Sequence, residues 1–298
     1  MRTIILFTLI CFLFLLPSAR SQEFIKVEQG LLKAPKGDVT AFKVKIHQGR
    51  VATVAKAWQK TLTRNTRSKV KASANEFFIE NVIIDKISDE PMNIYSALTE
   101  QSQRVELVAA FELEGVFMDE YNTRQTIVEA AKSFMLEFAI QQYKVAVQGE
   151  LDKEEKVLKS LQSNLNQLMK QNTDYRKTIA SREQKIMSTE EEIKGETSQR
   201  ERKYDEIVAQ RIYIGTIKND PEQLKAHQAS LKKMENDRKK MLRKIESMHK
   251  KIVSLRADIQ KAHRDIAINE GQQKIKNNEI GLQMSKISDI EKKLQGIH

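Results

Sequence analysis

The side chains best suited to metal binding or acid–base chemistry are five histidines, and their spacing keeps them apart. They are His47, His227, His249, His263 and His298. His249 and His263 occupy the same heptad position two heptads apart, which separates them by about 21 Å along a helix axis. Because all ligands of one metal ion lie in direct contact with it, these two histidines cannot share a metal. The sequence therefore predicts no metal ligands and no bound cofactor.

Short motifs of enzyme active sites are equally scarce. The chain has no HExxH, GxGxxG, GxxxxGK[ST] or GxSxG pattern. SxxK matches, such as those at 68–71 and 230–233, are of a kind that a lysine-rich chain produces by chance. Asp85, Asp89 and Glu90 form a small acidic cluster that fits either a calcium site or a turn, and the turn is the simpler interpretation. We predict no catalytic residue and expect a protein that is not an enzyme.

The charge balance is strongly basic, with 51 Lys and Arg against 40 Asp and Glu in 298 residues. Residues 22–71 carry 12 basic and three acidic side chains, whereas residues 72–150 carry five basic and 14 acidic ones. The basic side chains of the first segment fit either an anion-binding face or a solvated surface whose charge is neutralised by nearby carboxylates. The second interpretation is favoured. They include Lys33, Lys36, Lys43, Lys45, Arg64, Arg67, Lys69 and Lys71.

A second concentration of positive charge, the basic patch, lies between residues 238 and 251. It comprises Arg238, Lys239, Lys240, Arg243, Lys244, Lys250 and Lys251. Such a patch attracts acidic protein surfaces or an anionic envelope surface. Nucleic acid is not expected, because the chain has an export signal. The other interpretation, a solvated helical face flanked by salt bridges, is favoured.

The first 21 residues have the pattern of a secretory signal peptide. A basic start precedes an almost wholly apolar run at 3–16, and Ala19 and Ser21 fit the −3 and −1 positions of a cleavage site. A 14-residue helix spans about 21 Å, less than the roughly 30 Å of a bilayer core, so cleavage before Gln22 is favoured over an anchor. We expect an exported protein, periplasmic or extracellular, with a bacterial envelope favoured. Its mature chain has no transmembrane segment and, because Cys11 is removed, no cysteine.

Residues 22–150 alternate strand and helix signals and are predicted to form an α+β head. Alternating and β-rich runs predict strands, and apolar residues at helical spacing predict a helix. The strands are expected at 41–46, 77–84, 93–99 and 104–113, and the helix at 50–64. The order βαβββα predicts a small open sheet with helices on one face.

Residues 151–298 have the heptad pattern of a coiled coil, which makes the chain predominantly α-helical. In the first arm, the column that recurs every seven residues from Leu151 is Leu or Ile at eight of ten positions. Its companion column, three residues further on, is interrupted by polar residues. In the second arm, two largely apolar columns start at Leu224 and His227. Apolar columns kept over so many heptads specify a left-handed coiled coil.

The segment between the arms reads as a helix stop followed by a helix start. Gly215 can end the first helix, and Asp220 can cap the second with Pro221 at its first position. We therefore predict an antiparallel hairpin with arms at about 123–214 and 221–297 and a turn at 215–220 that includes Asn219. A parallel coiled coil between chains, in which this segment straightens, stays open, as does an oligomer.

Two asparagines in the apolar columns suggest how the arms align. In an antiparallel pair of helices, the numbers of two facing residues have a constant sum. A sum of 441 places Asn172 opposite Asn269. A register shifted by one heptad, with a sum of 434, removes this pairing. Facing core asparagines fix register at a cost in stability. We predict that these two residues set the register.

These features favour a non-enzymatic, exported envelope protein: a coiled-coil spacer, scaffold or adaptor that docks a protein partner through its head or hairpin tip. The alternative is a periplasmic holdase for unfolded outer-membrane proteins. A signal peptide, a basic hairpin and a cysteine-free mature chain resemble the tentacled Skp-type chaperones. In those chaperones the chain returns to a β body after the hairpin, an order not found here. An adaptor of the membrane-fusion type ranks lower for the same reason.

Overall fold

The computed structural model describes residues 24–35 and 37–298. The predicted signal peptide and Lys36 lie outside the described residues. The chain divides into two compact units: residues up to Lys153 together with Ile287–His298, and residues Glu154–Lys286. The predicted fold, an α+β head followed by a long antiparallel helical hairpin, is confirmed.

The head contains an antiparallel sheet in the order β1-β2-β6-β5-β4-β3, with β7 paired to β6. The strands are β1 (Val27–Ala34), β2 (Gly37–His47), β3 (Lys71–Ser73), β4 (Glu76–Ile84), β5 (Ser88–Gln101), β6 (Arg104–Leu113) and β7 (Val116–Phe117). The four predicted strands correspond to β2, β4, β5 and β6. Consecutive strands β4, β5 and β6 are neighbours, as short hairpin connections require.

Three strands were not predicted from the sequence, and each lacks a local strand pattern. β1 is interrupted by Gly30, and β3 and β7 contain three and two residues. β7 follows directly after the end of β6 at Leu113. It pairs with β6 through a two-residue turn in which Glu114 and Gly115 both have positive φ, at 50° and 82°. Positive φ at both central residues is typical of a two-residue hairpin turn. β7 therefore forms because this turn places it beside β6, and not because its own two residues favour a strand.

Three helices complete the chain: α1 (Val51–Leu62), α2 (Gln125–Thr216) and α3 (Pro221–Gln295), with 12, 92 and 75 residues. The head core lies between one face of the sheet, α1 and the first turns of α2. Trp58 of α1 is fully buried there, and its indole Nε1 donates a 2.8 Å hydrogen bond to Ser96 Oγ on β5. Its ring contacts Phe134 and Phe138 of α2, with centroids 5.8 and 4.8 Å away.

In the second unit, α2 and α3 pack side by side along their heptad columns. Ile179 of α2 packs with Ala262 and Ile266 of α3, and all three are buried. The numbers of Ile179 and Ala262 sum to 441. The observed register is therefore the first of the two registers considered above, and the register one heptad away is absent.

Candidate protein-interaction site

The companion column of α2 faces α3 even where its residues are polar. Glu154, the first of them, retains 19% side-chain exposure and accepts hydrogen bonds of 2.7 Å from Lys286 Nζ and 2.8 Å from Gln283 Nε2. A carboxylate withdrawn from water needs such partners to stay charged. The ammonium of Lys286 and then the amide of Gln283 hold the pKa of Glu154 below its ordinary value.

The same arrangement recurs further along α2. Arg182 Nε donates to Asp258 of α3 at 3.0 Å, and Lys244 of α3 pairs with Glu196, whose side chain is 16% exposed. Polar side chains of complementary charge or hydrogen-bonding capacity on the opposite helix thus replace the missing apolar contacts of this column. Since a half-buried charge is tolerated only when paired, these contacts favour one alignment of the helices over its neighbours.

Asn172 and Asn269 are both buried, with 8% and 4% of their surface exposed. Asn172 Nδ2 donates to Glu270, and Asn269 Nδ2 donates to Gln171, each at 3.4 Å. The structure therefore brings the two residues to the same level of the hairpin. That they set the register stays a prediction.

The turn between the arms is two residues shorter than expected. α2 continues through Gly215 to Thr216, so the connection is 217–220. Asp220 caps the start of α3, because its Oδ1 accepts a 2.9 Å hydrogen bond from the backbone N–H of Gln223. Pro221 follows as the first helical residue, where a missing N–H costs nothing.

All seven residues of the basic patch are exposed, but they differ in their contacts. Lys244 pairs with Glu196, which raises the pKa of the lysine, and Lys240 lies 3.6 Å from Asp237. Arg238 places its guanidinium 4.7 Å from the ring centroid of Tyr204 on α2. The remaining four make no ion pair within the described part of the chain: Lys239, Arg243, Lys250 and Lys251. The patch is thus neither wholly paired nor wholly free.

Beside the patch lies an apolar surface that sequence reasoning missed, here named the tip row. Tyr204, Val208 and Ile212 recur every four residues on α2, and 47%, 36% and 67% of their surface is exposed. They belong to neither column of the coiled coil, and that is the signal that could have revealed them. Ring contacts continue towards the turn, where Tyr213 meets His227 at 4.8 Å. The tip row and Arg238 together form the candidate interaction site.

The basic residues of the head do not share one face. Lys43 lies 3.8 Å from Glu28, and Lys71 lies 3.6 Å from Glu80. Arg64 and Arg67 instead line a groove beside α1, whereas Lys33 and Lys71 border a second pocket next to Phe78 and Tyr95. Lys69 is exposed, and Lys36 lies outside the described residues.

Within residues 24–35 and 37–298, no group of three or more His, Cys, Asp or Glu side chains is placed to hold a metal ion. Asp85 lies in the turn between β4 and β5, across which the N–H of Ile87 donates a 2.7 Å hydrogen bond to the carbonyl of Ile84. Asp89 and Glu90 follow at the start of β5. Over the same described ranges, no helix combines the length and apolar character needed to cross a bilayer.

No protein-family model matches the chain, and no curated protein matches it either. Among solved structures, the chain is similar to the Smc head domain with a coiled coil and joint derived from Pyrococcus yayanosii. The two are 14% identical, the match covers 92% of this chain and 69% of that one, and the TM-score is 0.30. CalU16 from Micromonospora echinospora is 10% identical over 41% of this chain and 94% of its own, with a TM-score of 0.24. Likenesses this distant carry no argument about function.

Proposed function

We propose that this chain is a non-enzymatic, exported envelope protein whose helical hairpin docks a folded protein partner near its turn. The observation that carries the proposal is the tip row, an exposed apolar stripe near the hairpin turn that contacts Arg238 through Tyr204. Export rests on the signal pattern of residues 1–21.

The composition of the candidate site suits a protein interface. Contiguous exposed apolar side chains are disfavoured on a soluble helix unless a partner covers them. Tyrosine and arginine are the residues that most often anchor interfaces, and here Arg238 already lies against Tyr204. The unpaired cations at 239, 243, 250 and 251 would draw an acidic partner towards the row. We therefore expect a partner with an apolar pocket and an acidic rim.

The experiment is photo-crosslinking in the native host, with a photoreactive residue at position 208 and a matched one at position 282. Leu282 is 74% exposed but lies on α3, outside both the tip row and the basic patch. Crosslinking of one dominant folded protein from position 208, and not from 282, supports the proposal. The double variant Tyr204→Ser/Ile212→Ser should lose this product while retaining its helical circular-dichroism signal. An identical product from both positions contradicts docking at the tip row.

A periplasmic holdase is the second candidate, and one observation favours it. Further apolar side chains are exposed along α3, including Ile268, Ile275 and Leu282 at 63%, 60% and 74%. These three residues recur every seven positions, and an apolar stripe this long on a basic hairpin would suit many unfolded clients. Suppressed aggregation of denatured outer-membrane protein, with a broad crosslinked set from both positions, would favour the holdase over the docking protein.

A further inference from the structure

The head contains an open groove of about 1200 Å³ between the end of α1, β4 and α2. Its volume exceeds the roughly 300–1,000 Å³ of ordinary small-molecule pockets, which leaves room for a long flexible chain. The apolar lining consists of Ala57, Ile83, Ile84, Phe134, Phe138 and Ile140. The charged lining consists of Lys60, Arg64, Arg67, Asp85, Lys86 and Glu137.

The rim of the groove is built from two irregular backbone segments that are tied together. Asn65 follows α1 with φ of 62°, and Asn81 lies at a β4 irregularity with φ of 52°. Ser68 Oγ donates to the carbonyl of Asn81 at 3.3 Å, and the N–H of Asn81 donates to Asn93 Oδ1 at 3.0 Å. Because these bonds join the α1 exit to the sheet, the rim is an organised part of the head.

The floor is apolar and continuous with the head core. Phe138 is 6% exposed, and Phe134 and Ile84 are partly buried against the core cluster. Both phenylalanines contact Trp58, which lies directly beneath them. The floor therefore offers apolar surface to a ligand without requiring the core to open.

The charges at the rim do not balance. Lys86 is paired with Glu137 at 2.5 Å, which neutralises both. Lys60, Arg64 and Arg67 are exposed and make no ion pair within the described part of the chain. Lys60 lies in the last turn of α1, where a cation is favourable in any helix. Arg67 lies beyond the end of α1, so the favourable interaction of a cation with a helix C-terminus does not explain its position.

We propose that this groove binds a single-chain anionic amphiphile, of which a long-chain fatty acid is the simplest member. The alkyl chain lies along Phe134 and Phe138, and the carboxylate is held by Arg64 and Arg67. Guanidinium groups suit a carboxylate because they donate paired hydrogen bonds to its two oxygens. This site is separate from the tip row, so its failure would leave the docking proposal untouched.

Trp58 makes the proposal directly testable, since it is the single tryptophan of the chain. The chain of residues 22–298 is titrated with oleate below the critical micelle concentration, and the fluorescence emission of Trp58 is followed. Saturable quenching or a shift of emission is expected with oleate. Oleyl alcohol, which lacks the charge, and inorganic phosphate, which lacks the chain, should bind at least about tenfold more weakly.

Three variants separate the site from non-specific binding. Arg64→Glu/Arg67→Glu should weaken oleate binding about tenfold or more, and so should Ile83→Asp, which puts a carboxylate on the apolar lining. The matched control Lys43→Glu/Lys45→Glu reverses two charges on the far face of the sheet and should bind as the parent does. Isothermal titration calorimetry repeats each binding measurement with a signal that does not depend on tryptophan emission. Absence of saturable oleate binding in both assays, or equal affinity of the parent and Arg64→Glu/Arg67→Glu chains, would overturn the proposal.

Discussion

Asn172 and Asn269 are buried at the same level of the hairpin, and each amide donates a hydrogen bond to the residue beside the other. Asn172 reaches Glu270, and Asn269 reaches Gln171. Each asparagine also accepts a bond from its own helix, from Arg176 at 2.8 Å and from Gln273 at 2.6 Å. This reciprocal arrangement satisfies polar groups that a shift of one heptad would leave buried against apolar side chains.

The first prediction concerns these asparagines. Asn172→Leu/Asn269→Leu should raise the melting temperature by several degrees, since apolar core residues are more stabilising than buried amides, while the alignment of the arms loosens. Thermal unfolding followed by circular dichroism measures the change. Lys239→Leu, an exposed leucine substitution on α3, is the control and should leave the melting temperature nearly unchanged. An unchanged or lower melting temperature of the double variant would count against a register-setting role.

The second prediction tests whether the hairpin closes within one chain. Ile179→Cys/Ala262→Cys introduces two cysteines at positions that pack against each other, in a chain whose single natural cysteine is Cys11. Oxidation of the chain without residues 1–21 should give a monomeric disulfide, visible as altered mobility on a non-reducing gel. The pair at 186 and 262 is shifted by one heptad, about 10 Å, and should not close. Disulfide-linked dimers from the 179–262 pair would instead indicate a coiled coil between chains.

The third prediction concerns the buried bond between Trp58 and Ser96. Ser96→Ala leaves the indole N–H without a partner inside the core, so the free energy of unfolding should fall by about 1–3 kcal/mol. Guanidinium denaturation followed by Trp58 emission measures the loss. Ser73→Ala removes an exposed hydroxyl of β3 and serves as the control. Equal stability of both variants would mean that the bond contributes little.

The fourth prediction is a pH dependence at Lys132. A hydrogen bond to Glu120, and a weaker one to Glu129, raises the pKa of this lysine, whose side chain is 19% exposed and lies over the Phe42 ring. The raised pKa means that its stabilising effect is full below the ordinary lysine pKa and is lost as pH rises through the folded-state value. Lys132→Met should therefore cost about 1 kcal/mol near pH 8, and the difference should shrink once the pH rises beyond the ordinary lysine pKa of 10.5. Urea denaturation on both sides of that pKa checks this, and a difference that persists at high pH would contradict it.

Much of the hairpin could be predicted because its signals are local. The heptad columns and the helix start at Asp220–Pro221 depend on residues that are close together along the chain. α3 begins at Pro221 as expected. The inward direction of Glu154, Arg182 and Glu196 could not be predicted. Their partners lie 48 to 132 residues away along the chain, so no local pattern records the pairing.

By itself, the sequence determined the α+β head, the two helical arms, the place where the chain turns and the excess of positive charge. Those properties follow from periodicity, capping residues and composition, which act over a few residues. Only the tertiary structure decided which basic residues are paired, where β1, β3 and β7 find partners, and that Arg64 and Arg67 border an apolar groove. These depend on distant segments meeting, because a strand without intrinsic preference forms only beside a partner, and a groove exists only between elements that have already packed.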